Sequence, residues 1–252
     1  MPVLTITGIY DGDQPGALMH YRQHLESAPA KARSGHYLII GPWDHAGTRS
    51  PQLEFGGLKV GAASQIDLLE LHLQWYAWAM GEGARPEFLQ DKVAYYVTGA
   101  EGWRYAPSLE QITARAEALY LGSNGTATDV FCSGWLSKQG SGEAAEDQYL
   151  YDPRDTRGAV LVCAIDPNNL RDQQLLHANR GKQLIYHSSP FESDTEVSGF
   201  FKFIAWMAID QPDTDFRVQI YEVGIDGSVV QLSTDAMRAR YRESLRSARL
   251  IE

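Results

Sequence analysis

The pattern of apolar residues changes character near residue 90, and this change constrains the fold more than any other feature of the chain. Before it, short apolar runs alternate with helical segments, as in α/β proteins. Val3-Leu4-Thr5-Ile6-Thr7 stops at Gly8, and His36–Ile40 stops at Gly41-Pro42; both suit buried strands. Between them, from Gly16 onward, Leu18, Tyr21 and Leu25 recur at helical spacing, and Pro29 closes the segment. A longer helix is predicted from Ser64 to Met80, with Ser64 as N-cap, Asp67 in the first turn and Gly81 at the C-terminal glycine position. Leu69, Leu73, Tyr76 and Met80 share one face of it, and Trp75 and Trp78 widen the apolar surface, which predicts packing on two sides.

After Pro86 the strand signal takes over. Val93–Val97, Ala118–Leu121, Gln183–His187, Phe200–Trp206 and Phe216–Val223 read as strands, separated by turn-rich stretches such as Gly134–Gly142 and Asp226-Gly227. Strands without convincing helices between them point to an antiparallel sandwich. The expected fold class is therefore α/β followed by all-β, with residues 1–90 in the first domain and 91–252 in the second.

Charge narrows the function classes. The formal net charge is −10 with no Lys/Arg run, which argues against nucleic acid or an anionic membrane as partner. No apolar run approaches the roughly 20 residues that span a bilayer. The first residues, Met-Pro-Val-Leu-Thr-Ile, lack a basic region and a cleavage site and read as the start of a strand; with no targeting segment, a cytoplasmic location is favoured over export. Cys132 and Cys163 fit no zinc or redox spacing and read as two buried thiols, with a disulfide as the alternative.

The chemistry gathers at the two strand ends. Gly8-Ile9-Tyr10-Asp11-Gly12 follows the first, and Gly41-Pro42-Trp43-Asp44-His45 follows the second. In an open parallel sheet such loops emerge side by side, so Asp11 and His45 are expected within hydrogen-bond reach. They suit the last two members of a Ser…Asp…His order, with His45 as general base and Asp11 orienting it. The residues alone leave another reading open: a turn-capping aspartate and a packed histidine.

The ordered set of motifs resembles the cocaine-esterase, α-amino-acid ester hydrolase, glutaryl-cephalosporin acylase and X-prolyl dipeptidyl-peptidase group of serine hydrolases. The likeness begins with Gly8-Ile9-Tyr10-Asp11, Gly41-Pro42-Trp43-Asp44-His45 and Trp75-Tyr76-Ala77-Trp78 leading to Gly81. It continues through Val93–Val97, Gly99, Trp103 and Tyr151-Asp152-Pro153. Ser188-Ser189-Pro190-Phe191, Glu196-Val197-Ser198-Gly199, Asp213-Thr214-Asp215-Phe216, Asp226-Gly227 and Arg238–Arg242 complete it. The resemblance implies that Asp11 and His45 are the triad aspartate and histidine of the C-terminal part of an α/β-hydrolase domain. It implies that the later residues form an incomplete jelly-roll β-sandwich lending wall to the cleft. Trp43 and Tyr10 become candidate pocket residues, with core packing the equal alternative for Trp43. Asp213 and Asp215 read as a structural turn rather than a second catalytic pair.

The departures matter as much. The nucleophile elbow G-x-S-x-G occurs nowhere in the 252 residues. The resemblance places the serine and the oxyanion-hole donors upstream, and the expectation is a segment of a longer protein that is inactive alone. The parent would cleave an ester, amide or X-Pro dipeptidyl bond. The rival readings are a non-catalytic β-sandwich binding module and a subunit that complements a serine-bearing chain. Expected partners are a small-molecule ester, amide or peptide substrate, the upstream part of the same protein, and a second copy or chain covering exposed sheet edges. His20 and His24, at i and i+4, could present two metal ligands, but without a third they read as surface or packed histidines. No cofactor and no metal are expected.

Overall fold

A computed structural model of the chain describes residues 1–251 apart from 141, 143–144, 165–168, 173 and 175–178. The elements in order are β1 (Val3–Gly8), α1 (Gln14–Ser27), α2 (Ala30–Arg33), β2 (His36–Gly41), β3 (Glu54–Phe55), β4 (Leu58–Lys59), α3 (Leu68–Met80), β5 (Val93–Val97) and β6 (Gly102–Ala106). Then follow β7 (Tyr120–Gly122), β8 (Gly134–Ser137), α4 (Arg157–Val162), β9 (Tyr186–Ser188), β10 (Asp215–Val223) and β11 (Val229–Arg238). The chain divides into two compact units, Met1–Ile112 with Ser198–Glu252, and Thr113–Val197.

The first unit is built on an open sheet in the order β1-β2-β5-β6. β1 runs parallel to β2 with Val3 opposite His36 and Gly8 opposite Gly41, β5 runs parallel to β2, and β6 returns antiparallel to β5. Every residue of β2 is buried, which is why it reads as a continuous apolar run rather than an alternation. Leu38 and Ile40 pack with Leu18 and Tyr21 of α1, Val93 and Leu109 on one face. Tyr37 and Ile39 pack with Leu68, Leu71 and Trp75 of α3 and with Trp43 on the other. Each fully buried Leu or Ile side chain contributes roughly 1.5–3 kcal/mol over leaving it in water.

α1 has Pro15 in its first turn, and its C-cap Ala28 turns extended (ψ 156°) before Pro29. α3 differs from expectation at its start. Asp67 is the N-cap, its side chain accepting from the Glu70 amide at 2.9 Å, whereas Ser64 closes a 3₁₀ turn over Ala62–Ser64. Gly81 ends the helix in the left-handed region at φ 85°, donating back to Ala77 and Trp78 carbonyls. The packing face also differs. Leu68, Leu71 and Trp75 are buried, while Leu69, Leu73, Tyr76 and Met80 are 57–76% exposed. Both stripes are apolar, and the one carrying the tryptophans wins because Trp75 and Trp78 set their rings edge-on to Tyr37 at 5.7 and 5.8 Å.

Beyond that sheet the regular elements are mostly strands, in small open sheets. β10 and β11 form an antiparallel hairpin with an irregularity between Ile220 and Tyr221. Asp215 holds Arg238 bidentately at 2.8 and 2.9 Å, and Asp213 holds the Arg240 side chain at 2.6 Å and its amide at 2.9 Å. These carboxylates therefore have the structural role expected of them, but they tie β10 to the end of β11 across the open end of the hairpin rather than closing a turn. In the second unit β8 pairs antiparallel with β7 and parallel with β9.

Several expectations need correction. β8 falls inside the stretch read as turns, and the short α4 lies where no helix was expected. Phe200–Trp206 joins no ladder among the described strands, so its apolar side chains stay exposed. A strand signal becomes a strand only where a partner supplies the ladder. Cys132 and Cys163 are both free and exposed. Cys132 sits on a turn whose amides bond Asp129, and Cys163 caps α4, so neither lies on a face that packs.

Candidate active site

The site begins with the parallel register of β1 and β2, which brings their carboxyl ends level at Gly8 and Gly41. The pairing continues past the strands: the Ile9 amide donates to the Gly41 carbonyl at 2.8 Å and the Tyr10 amide to the Trp43 carbonyl at 3.0 Å. Gly8 permits this approach, since a Cβ there would lie 2.0 Å from the Trp43 carbonyl oxygen. The Gln14 side-chain amide donates to the Gly8 carbonyl at 3.0 Å and ties the start of α1 to the same point.

The next residues out are Asp11 and His45. His45 Nδ1 lies 3.0 Å from Asp11 Oδ1, with the Asp11 side chain 7% exposed and the His45 side chain 56% exposed. An ionised carboxylate only accepts, so in the neutral ring Nδ1 carries the hydrogen and Nε2 keeps its lone pair. The Asp13 amide donates to the same Asp11 oxygen at 3.0 Å. Asp11 thus sits low and restrained beneath an imidazole ring that solvent reaches.

Neighbouring groups fix the loop that leaves His45. The Gly47 amide donates to Asp44 Oδ1 at 2.8 Å and the Thr48 hydroxyl to the His45 carbonyl at 2.7 Å. Further on, Trp43 Nε1 donates to the Ser64 carbonyl at 3.2 Å, and Trp103 Nε1 to the Ala63 carbonyl at 2.7 Å. Glu101 accepts from the Gly61 amide and the Tyr96 hydroxyl. Burial pushes the Glu101 carboxyl up, but the hydrogen bonds from Tyr96, Gly61 and Gly99 outweigh it and hold it below the ordinary value.

The two candidate pocket residues differ. Trp43 is fully buried, its ring 5.8 Å from Trp103, which gives it the packing role. Tyr10 is half-buried with Phe55 at 5.6 Å. Burial, then the charge of Glu222, pushes its hydroxyl up to about 12. Two open hollows, one of about 240 Å³ beside α3 and one of about 290 Å³ beside Pro212, do not include Asp11 or His45 in their linings.

The sequence reading missed Asp13, whose Oδ2 lies 3.5 Å from His45 Nδ1. One ligand atom each from Asp11, Asp13 and His45 falls within 4.8 Å of the others. With the Asp13 side chain 81% exposed, this reads as the solvated surroundings of a His–Asp pair. Its signal was only proximity, two residues after Asp11.

Comparison with known proteins gives the chain a family. Residues 88–252 match the X-Pro dipeptidyl-peptidase C-terminal non-catalytic domain; Asp11 and His45 lie before that match. The chain is 28% identical over its whole length to cocaine esterase of Rhodococcus sp. (strain MB1 Bresler), and spans 43% of that protein. Among solved structures, an aminopeptidase from the marine sediment archaeon Thaumarchaeota archaeon matches all of this chain with TM-score 0.76 at 20% identity, over 42% of its own length. An α-amino acid ester hydrolase matches all of it with TM-score 0.74 at 18% identity, over 43% of its own length. No helix among the described residues is long and apolar enough to cross a membrane. With most of its residues inside the matched domain, the chain belongs to the family of X-Pro dipeptidyl-peptidase C-terminal domains and is related to hydrolases of the cocaine-esterase type.

Proposed function

We propose that Asp11 and His45 are the orienting acid and general base of a Ser-His-Asp hydrolase whose serine lies outside these 252 residues. The carrying observation is the 3.0 Å bond from Nδ1 of an exposed His45 to a restrained Asp11. It leaves Nε2 free to take a serine proton and later pass it to the leaving group, while the carboxylate stabilises the imidazolium. The substrate class is an ester or amide, supported by relatives that include an esterase, an amino-acid ester hydrolase and an aminopeptidase. On this reading residues 1–90 complete an α/β-hydrolase domain, and residues 91–252 belong to a jelly-roll that walls the cleft, with Tyr10 at its edge. The partners are the substrate and the serine-bearing part of the protein.

The second reading, a purely non-catalytic module, is favoured by the description of the family matched by residues 88–252. A fluorophosphonate probe separates the two. The chain alone should not label. Joined to the serine-bearing part it should label, and hydrolysis of a p-nitrophenyl ester should fall roughly 10⁴-fold in His45→Ala. Labelling of the chain alone, or unchanged turnover in His45→Ala, refutes the triad assignment.

A further inference from the structure

Helix α3 is apolar on two sides, and the sheet takes only one of them. Leu68, Leu71 and Trp75 are buried against it, while Leu69, Leu73, Tyr76 and Met80 form a second stripe that stays 57–76% exposed. The stripe runs the length of the helix at spacings of four, three and four residues. That is the seam spacing by which one α-helix packs along another. At about 200 Å² for a side chain of this size, the four present roughly 500 Å² of apolar surface, toward the upper end of what a monomer leaves open.

The arrangement of the stripe selects its occupant. Leu73 and Tyr76 straddle the midpoint, with Leu69 and Met80 equally far out toward the two ends. A two-fold axis through that midpoint lays α3 antiparallel on α3 of a second copy, with Leu73 against Tyr76 and Leu69 against Met80, so each apolar side chain meets another. Met80 is the adaptable filler at either end. The rims suit the same crossing, since they carry Ala77 and Ala79, small enough for close approach, beside His72 and Glu70. Charge fixes the direction. The acidic groups of the helix, the Asp67 cap and Glu70, stand at its start, and its last turn has no basic residue. A parallel pair would bring Asp67 and Glu70 of both copies together. The antiparallel pair separates them by most of a 13-residue helix, which is about 20 Å long. Two stripes cover about 1,000 Å² before the rims are counted, the area a specific interface has to clear.

We propose that the exposed stripe of α3 is a dimerisation surface, on which a second copy of this chain seats its own α3 antiparallel. The contact involves neither Asp11 nor His45 and does not rest on the triad assignment.

The test is sedimentation equilibrium of the whole chain over roughly 1–100 μM. The parent should sediment as a dimer. Leu73→Lys sets a charge at the centre of the seam and should weaken association roughly a hundredfold. Circular dichroism checks that the variant is folded, with Tyr76→Lys replacing it if it is not. Ala77→Glu places a second carboxylate across from Glu70 of the other copy and should weaken association roughly tenfold, whereas Ala77→Lys should keep or exceed the parent affinity. A monomeric parent overturns the proposal, as does a dimer that survives Leu73→Lys or one that Ala77→Lys weakens as much as Ala77→Glu. A dimer that is lost when the chain is joined to the serine-bearing part assigns the stripe to that part and overturns the proposal as well.

Discussion

Gly8→Ala is the substitution that most directly tests how β1 and β2 deliver Asp11 to His45. The added Cβ would lie 2.0 Å from the Trp43 carbonyl oxygen, 2.7 Å from its carbon and 3.2 Å from its Cα. All three are backbone atoms, so no rotamer relieves the clash. Gly8 is not among the residues with positive φ, so alanine meets no conformational penalty and the effect is steric. Relief requires the two loops to part, which breaks the Tyr10–Trp43 hydrogen bond and strains the Ile9–Gly41 one. Overpacking costs about 1–3 kcal/mol and each lost hydrogen bond about 1 kcal/mol, giving a loss of roughly 2–4 kcal/mol. Urea denaturation should show a lower midpoint at unchanged slope, and the NMR signal of the His45 Nδ1 proton should move as the Asp11 bond lengthens. Gly16→Ala is the internal control: Gly16 lies within α1 with nothing inside 4 Å of its would-be Cβ, so helix propensity predicts a gain of up to about 1 kcal/mol. A Gly8→Ala midpoint within about 0.5 kcal/mol of the parent, well below the overpacking range, would refute the reasoning.

Three further outcomes are expected. Thr7→Val should be neutral or stabilising by about 1 kcal/mol in the same urea assay, because the Thr7 hydroxyl is buried without a hydrogen-bond partner. Asp67→Ala should cost about 1 kcal/mol by removing the cap on α3, whereas Ser64→Ala should not reproduce that loss of helix signal. Burial, then the neighbouring His24 and His20, pushes the His36 imidazole down to about 4 from its ordinary 6.5. Between these values the unfolded chain binds the extra proton, so stability contributed here is complete above about pH 6.5 and is lost as pH falls toward 4. The ceiling is about 3 kcal/mol, read by urea melts against His36→Gln, which should flatten the profile if folded.

What was legible in the sequence follows from how locally each feature is determined. β1 and β2 were visible because each writes an apolar run, buried throughout in β2 and half-buried over Val3–Ile6 in β1, and both end at glycines, Gly8 where the Trp43 backbone crosses and Gly41 where the Trp43 ring packs. Asp11 and His45 were placed side by side because the carboxyl ends of neighbouring parallel strands share an edge. α3 was visible as a helix, yet its buried face was not. Leu69–Leu73–Tyr76–Met80 and Leu68–Leu71–Trp75 are equally apolar stripes, and only the aromatic contacts with Tyr37 choose between them.

The remaining misses share one cause, which is partnership at long range. Phe200–Trp206 has strand composition but no ladder among the described strands. The cysteines have core chemistry but sit on a turn and a helix cap. The same cause hid the third histidine. His20 and His24 announce themselves by helical spacing, whereas His36 lies 12 residues beyond His24 on a strand, and its alignment depends on the angle at which α1 crosses the sheet. No spacing rule encodes that angle. It is set by Leu18 and Tyr21 packing on Leu38 and Ile40, so the apolar contacts that hold α1 on the sheet also bring the three imidazoles together. Truncating that packing, for example Leu18→Ala at a cost of roughly 2–5 kcal/mol, should therefore loosen the His24–His36 contact along with stability, read by NMR as a shift of the His36 ring signals beside a lower urea midpoint; unchanged ring signals at a lowered midpoint would refute this account of the cluster.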